Sequence, residues 1–159
     1  MPEPAVSGDR IDLGSGSVAW WPCHIGIGAS IGADCSIGAL AHVGRRCVLG
    51  DGCRVQGSAY IADDCLLGNR VFVGPAAVLL NDKFPPSGDR EKWLPVKVED
   101  GAVIGGNATL VPGCSMGANS VLAAGAVLTK HLPANEVWAG NPAAFLMTRA
   151  EYEQRREQT

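Results

Sequence analysis

A period of six residues governs this chain from Leu13 to Leu128. Reading in sixes from Leu13 to Leu79, and again from Val98 to Leu128, gives 18 first positions, of which 17 are Val, Ile, Leu or Met and one is Ala19. Gly follows directly at ten of them, from Gly14 to Gly117. A period of six fits neither a 3.6-residue helix nor the alternation of a single strand. It fits a short strand followed by a corner. Three such units close a triangular coil, and each coil hydrogen-bonds to the next like a parallel sheet, at about 4.8 Å per coil. The chain therefore reads as an all-β solenoid of about six coils, with the large aliphatics inward and the glycines turning the corners. The spacing leaves the hand of the coil open, and the usual crossover rule favours the right.

The fifth position of most units is small, and all six cysteines occupy it: Cys23, Cys35, Cys47, Cys53, Cys65 and Cys114. Cysteines confined to one phase read as interior packing residues, not as a metal cluster or redox pair. Cys35/Cys53 and Cys47/Cys65 are one coil apart. Free thiols are expected at these positions, and with them a reducing, cytoplasmic compartment.

The repeat breaks twice. Between Leu80 and Val98 the frame shifts by one, as an inserted loop of about 13 residues requires; residues 83–99 hold seven charges in 17 positions, against nine in 70 over residues 13–82. A long polar loop on a regular scaffold is where function collects. The second break is at the C-terminus, where Asn141-Pro142 reads as an N-cap followed by proline at the first helical position. The division is thus a lead-in over 1–12, the solenoid over 13–140 with its loop at 81–97, and over 141–159 one amphipathic α-helix that covers the last coil.

Composition narrows the function. The formal charge of −3 offers no basic field for nucleic acid or anionic lipid. No apolar run approaches the ~20 residues of a membrane span, and Met1-Pro2-Glu3-Pro4 lacks the pattern of a signal peptide. The histidines are His24, His42 and His131. His24 and His42 share the sixth position one coil apart, a corner ladder that Tyr60 and Val78 continue. No two histidines are closer than 18 residues, so no metal site is expected. Arg45-Arg46 reads as a small basic spot, and phosphate-loop and nucleophile-elbow motifs are absent.

The hexads resemble those of the hexapeptide-repeat acyltransferases, a resemblance covering about residues 13–147 that implies a left-handed parallel β-helix. Val71-Phe72-Val73-Gly74-Pro75 and Asn81-Asp82-Lys83-Phe84-Pro85-Pro86-Ser87 resemble the stretch before the active-site loop in bacterial nucleotide-sugar N-acetyltransferases. Leu80 and Pro86 stand where that group usually carries Thr and Arg, and Val55-Gln56 resembles its Ile-Gln. Gly105-Gly106-Asn107-Ala108 and Gly125-Ala126-Val127-Leu128-Thr129-Lys130 resemble its acetyl-CoA groove, and Gly140-Asn141-Pro142-Ala143 its closing motif. The resemblance implies acetyl-CoA bound by Gly106, Ala108, Gly125, Ala126 and Lys130. It further implies a UDP- or TDP-linked amino sugar met by Gln56, with Asn81 and Asp82 catalytic and a homotrimer with sites between prisms. His42 on its ladder and Lys83 on the loop are read as further substrate contacts.

The chemistry can be reached from the residues as well. An amine needs positioning, loss of a proton and a stabilised oxyanion; Asp82 can orient the amine and Asn81 the reacting centre. Residues 79–97 contain no histidine, whereas an attacking hydroxyl demands a general base. That favours an N-acetyltransferase over an O-acetyltransferase on a small sugar or alcohol. A non-enzymatic scaffold, the third reading, has no need of a polar loop.

Overall fold

The computed structural model describes residues 8–159. The segment Met1–Pro4 considered above lies outside the described residues. Eighteen parallel strands form three faces. Face A carries seven, from Ser17–Trp21 through Phe72–Val73 to Glu136–Ala139. Face B carries six, from His24–Ile25 to Val127–Leu128, and face C carries five, from Ser30–Ile31 to Ser115–Met116. The chain visits them in the order A, B, C, so the stack runs between six and seven coils.

The hexad frame holds residue by residue. Ile37, Val43, Val73, Leu79, Ile104, Leu110 and Leu122 are fully buried first-position residues, each contributing about 1.5–3 kcal/mol of apolar burial. Register between neighbouring coils is 18 residues, as in His42 against Tyr60. It becomes 31 where Leu66 meets Lys97 and Val78 meets Thr109. The 13-residue insertion is therefore absorbed with no slip in the inward set.

Glycine does a different job from the one expected. The left-handed backbone of each corner falls at the fourth position, as at Arg46 (φ 58°), Asp64 (φ 66°) and Asn107 (φ 56°). The second-position glycine instead admits the coil above. A Cβ on Gly44 would lie 2.5 Å from the amide nitrogen of Asp63, which no real Cβ tolerates. Second-position glycines are thus close-approach residues, while fourth-position glycines such as Gly28, Gly52 and Gly125 carry the left-handed turn (φ 76°, 69° and 70°).

Both ends depart from the expected division. Residues Asp9–Gly14 form a strand antiparallel to Ser17–Trp21, so the lead-in is part of the sheet. Leu13 is left 38% exposed, because no coil lies beneath it. At the other end the helix does not start at Asn141. Ala144–Thr148 pairs antiparallel with Glu136–Ala139 and continues face A past the last coil. The helix is Arg149–Glu157, entered through a capping box in which Thr148 and Glu151 exchange hydrogen bonds. It buries none of its residues, so the strand, not the helix, meets the open edge.

All six thiols are free, five of them buried. Cys35, Cys47, Cys53 and Cys114 each donate to a carbonyl of the next coil at 3.1 Å. Burial pushes the Cys47 and Cys53 thiols up to about 11 and Cys65 up to about 12. They are inert packing groups.

Candidate active site

The polar constellation is built on face B and on the corner where B turns into C. His24, His42 and Tyr60 occupy the outward position of three successive face-B strands. Their rings stack at centroid distances of 4.5 and 4.6 Å, with planes 14° and 15° apart. The ladder therefore stands on strands, not on a corner as expected, and Val78 continues it one coil up. Two-residue strands at fixed register leave the rings no choice of neighbour.

At the B–C corner, one coil's Arg45-Arg46 lies below the next coil's Asp63-Asp64. Arg45 meets Asp63 at 2.7 Å through both Nε and a terminal nitrogen, and Arg46 grips Asp64 with Nε at 2.7 Å and Nη2 at 3.0 Å. The long loop leaves from this same corner. At its root the Asn81 side-chain amide donates to the Asp63 carbonyl at 3.2 Å, and the Asn81 carbonyl accepts from Leu94 N–H at 2.7 Å.

These elements enclose a pocket of about 400 Å³. His24, His42 and Tyr60 make its floor, Arg45 and Asp63 one side, and Asn81 with Trp93 the loop wall. His42 is half-buried. Desolvation, and secondarily the like charge of His24, hold its pKa below the ordinary 6.5 against a smaller opposing pull from Asp63. Its imidazole is consequently neutral, a proton acceptor, at neutral pH.

The other expected residues are spread more widely. Asp82 does not line this pocket. Its Oδ2 accepts from Ser87 N–H at 2.8 Å and its Oδ1 from Phe84 N–H at 3.3 Å, and these amides hold its carboxyl below the usual range. It organises the loop's first turn. Lys83 is exposed, with Nζ 5.8 Å from the Phe84 ring. Gln56, Gly106 and Gly125 lie on the A–B corner, along the opposite border of face B. Gly125 N–H donates to the Gly106 carbonyl at 2.9 Å, and a Cβ on Gly125 would meet nothing within 4 Å. Ala108 and Ala126 sit on the same corner with their methyl groups in the core, so only their backbone can face a ligand. Lys130 lies beyond, its ammonium 5.3 Å from the Trp138 ring. The small, open corner suits a thin extended ligand chain such as that of coenzyme A.

Sequence reasoning missed Arg45, Asp63, Tyr60 and Trp93 as site residues. Arg45-Arg46 and Asp63-Asp64 are opposite pairs 18 residues apart, a signal that one coil's charges face the next. Trp93 carried no periodic signal. The missing loop histidine was also misleading, because face B brings His42 beside Asn81. Among the described residues no group of three or more His, Cys, Asp or Glu side chains could hold a metal ion.

Comparison with known proteins bears on the repeat and the fold. Residues 28–63 match the bacterial transferase hexapeptide family of six repeats, and residues 95–130 match the hexapeptide repeat of succinyl-transferase. A 2,3,4,5-tetrahydropyridine-2,6-dicarboxylate N-acetyltransferase of Staphylococcus aureus is 40% identical over 81 residues, 51% of this chain and 32% of that protein. The match thus spans about a third of that relative's length. The acetyltransferase domain of PglB from Neisseria gonorrhoeae superposes with a TM-score of 0.71 at 27% identity, over 82% of this chain and 57% of that one. PerB from Caulobacter crescentus, solved with CoA and GDP-perosamine, superposes equally well (TM-score 0.71) at 23% identity over 82% of this chain and 56% of its own. The last likeness shows the fold alone, a left-handed parallel β-helix.

Proposed function

We propose, from the premise that the chain belongs to the hexapeptide-repeat acyltransferase family, that it is an acetyl-CoA-dependent N-acetyltransferase acting on a nucleotide-linked amino sugar. The carrying observation is the pocket in which a neutral His42 and the loop-root Asn81 face one another across the floor of face B. The N-acetyltransferase among the relatives supports an amine acceptor in place of a hydroxyl, and the PglB domain supports acetyl transfer.

Acetyl-CoA supplies an activated acetyl thioester. Gly106, Gly125 and the backbone of Ala108 and Ala126 would hold it along the A–B corner, with Lys130 beyond the last face-B strand beside Trp138. The neutral acceptor amine attacks the thioester carbonyl, and His42 takes the proton that its nitrogen sheds as the new C–N bond forms. Asn81 retains a free amide hydrogen and its Oδ1, so it can hold the amine or stabilise the tetrahedral oxyanion. His42 returns its proton as the thiolate leaves, so the site ends as it began. Arg45, 55% exposed at its side chain, offers positive charge to a diphosphate, and Gln56 and Lys83 complete the acceptor contacts. Asp82 serves by holding the loop that carries Asn81. One prism provides the floor, one side and the loop wall of this cleft, and the reading includes a homotrimer whose neighbouring prism closes the remaining side.

The test is release of free CoA from acetyl-CoA in the presence of UDP-, TDP- and GDP-linked amino sugars, their hydroxyl analogues and a small amino dicarboxylate. Release with an amino sugar alone is expected. Release with a hydroxyl analogue would make the protein an O-acetyltransferase, and release with none would leave a scaffold.

A further inference from the structure

Between Asn81 and Leu94, whose N–H donates to the Asn81 carbonyl and whose carbonyl accepts from Gly113 N–H, the loop is tied to the body of the prism by one side-chain connection among the described residues. From residue 82 to residue 93 the side-chain bonds among the described residues are internal to the loop, as in Asp82 to Ser87 or Asp89 to Glu91. The exception is Arg90. Its Nη2 and Nε reach Asp64 Oδ1 and Oδ2 at 2.7 and 3.0 Å, a two-pronged fork. Asp64 is already gripped by Arg46, and its side chain is only 16% exposed. Two guanidiniums converge on one carboxylate fixed to the rigid corner, an ionic node far better defined than a solvated pair. The two arginines hold the Asp64 carboxyl well below the usual carboxylate range, so the node persists across the working pH.

What the node carries is Trp93. Arg90 opens the short 3-10 turn Arg90–Lys92, and Trp93 caps it by donating its N–H to the Arg90 carbonyl. Trp93 lines three hollows, two of which bear on the site. One is the His42–Asn81 pocket, and the other is a cleft of about 560 Å³ bounded by Asp64, Arg90 and Pro95. Its Nε1 is buried with no hydrogen-bond partner. No polar bond of its own therefore fixes the ring, which is held by packing and by the backbone that bears it.

We propose that Arg90, acting through Asp64, is a positioning residue that holds Trp93 as the loop wall of the acceptor pocket. Arg90 itself touches no reacting atom. This rests on the acetyltransferase reading for its kinetic consequence but not for its structural one. The test uses protein labelled with 5-fluorotryptophan, whose four tryptophans give separate fluorine resonances, with Trp93 assigned by Trp93→Phe. In Arg90→Gln the Trp93 resonance is expected to shift or broaden while the other three stay. The KM for the amino-sugar acceptor should rise by about tenfold, with kcat and the KM for acetyl-CoA within about twofold. Arg90→Lys should recover part of the loss, since a point charge cannot replace a fork. An unmoved Trp93 resonance overturns the proposal, and so does a moved resonance with unchanged acceptor KM. If the resonance moves but no amine is ever acetylated, the latch stands as structure and the functional reading fails instead.

Discussion

At the residue scale the interior and the pocket make opposite demands on side chains that look alike in sequence. Cys47 and its stacked partners are apolar filler with thiols pushed up by burial. Cys47→Ala should keep turnover within about twofold and cost of order 1 kcal/mol in a denaturation experiment; loss of activity with the fold intact would make it a catalytic thiol. His42 was legible as one rung of an 18-residue ladder, but its partners were not, since Asn81 and Trp93 reach it only through the loop. His24 stacks on His42 and adds like charge. Removing that ring takes away a neighbouring charge and admits water, and both raise the His42 pKa. His24→Asn should therefore move the acid limb of the rate profile upward, towards 6.5. The sign for stability is also fixed: a histidine whose folded pKa is depressed favours the unfolded chain when protonated. Its stabilising share is complete above the ordinary value and is lost as pH falls below it.

At the element scale the coil is specified twice, by what must be inside and by what must be absent. The inward aliphatics were readable as a period of six because each strand presents one residue to the core. The glycine role was not, because the clash it avoids is with a backbone 19 residues on. Gly44→Ala puts a Cβ 2.5 Å from Asp63 N, so the upper coil must lift, at roughly 1–3 kcal/mol as for other overpacked sites. Because Asp63 pairs with Arg45 and accepts from Asn81, that variant should lose activity as well as melting temperature. An unchanged melting temperature would show that the coils can separate freely. At the C-terminus the proline signal at Asn141-Pro142 suggested a helix too early. The edge left by Glu136–Ala139 recruits Ala144–Thr148 first, and the Thr148–Glu151 capping box, visible as Thr-x-x-Glu, marks where the helix begins. Thr148→Ala should cost about 1 kcal/mol by local helix fraying, read by hydrogen exchange confined to residues 149–157.

At the scale of the whole molecule, the prism is a ruler that sets chemistry along two borders of one face. Face B carries His42; the A–B corner offers the smooth track of Gly106 and Gly125, and the B–C corner offers Asn81 on its loop. Chain order alone places these borders on either side of the same strands, so the repeat shows in sequence where His42 and the glycine track lie, whereas Asn81 and Trp93 come from the irregular loop. Sedimentation should give a trimer, with an active monomer contradicting the shared cleft. The central claim is that His42, neutral in this pocket, takes the acceptor's proton. The measurement is the pH profile of kcat/KM for CoA release, wild type against His42→Asn. Wild type should show an acid limb below 6.5, and the variant should fall by roughly 10²–10⁴-fold and lose that limb while melting as before. A variant that keeps both the rate and the limb would contradict the account.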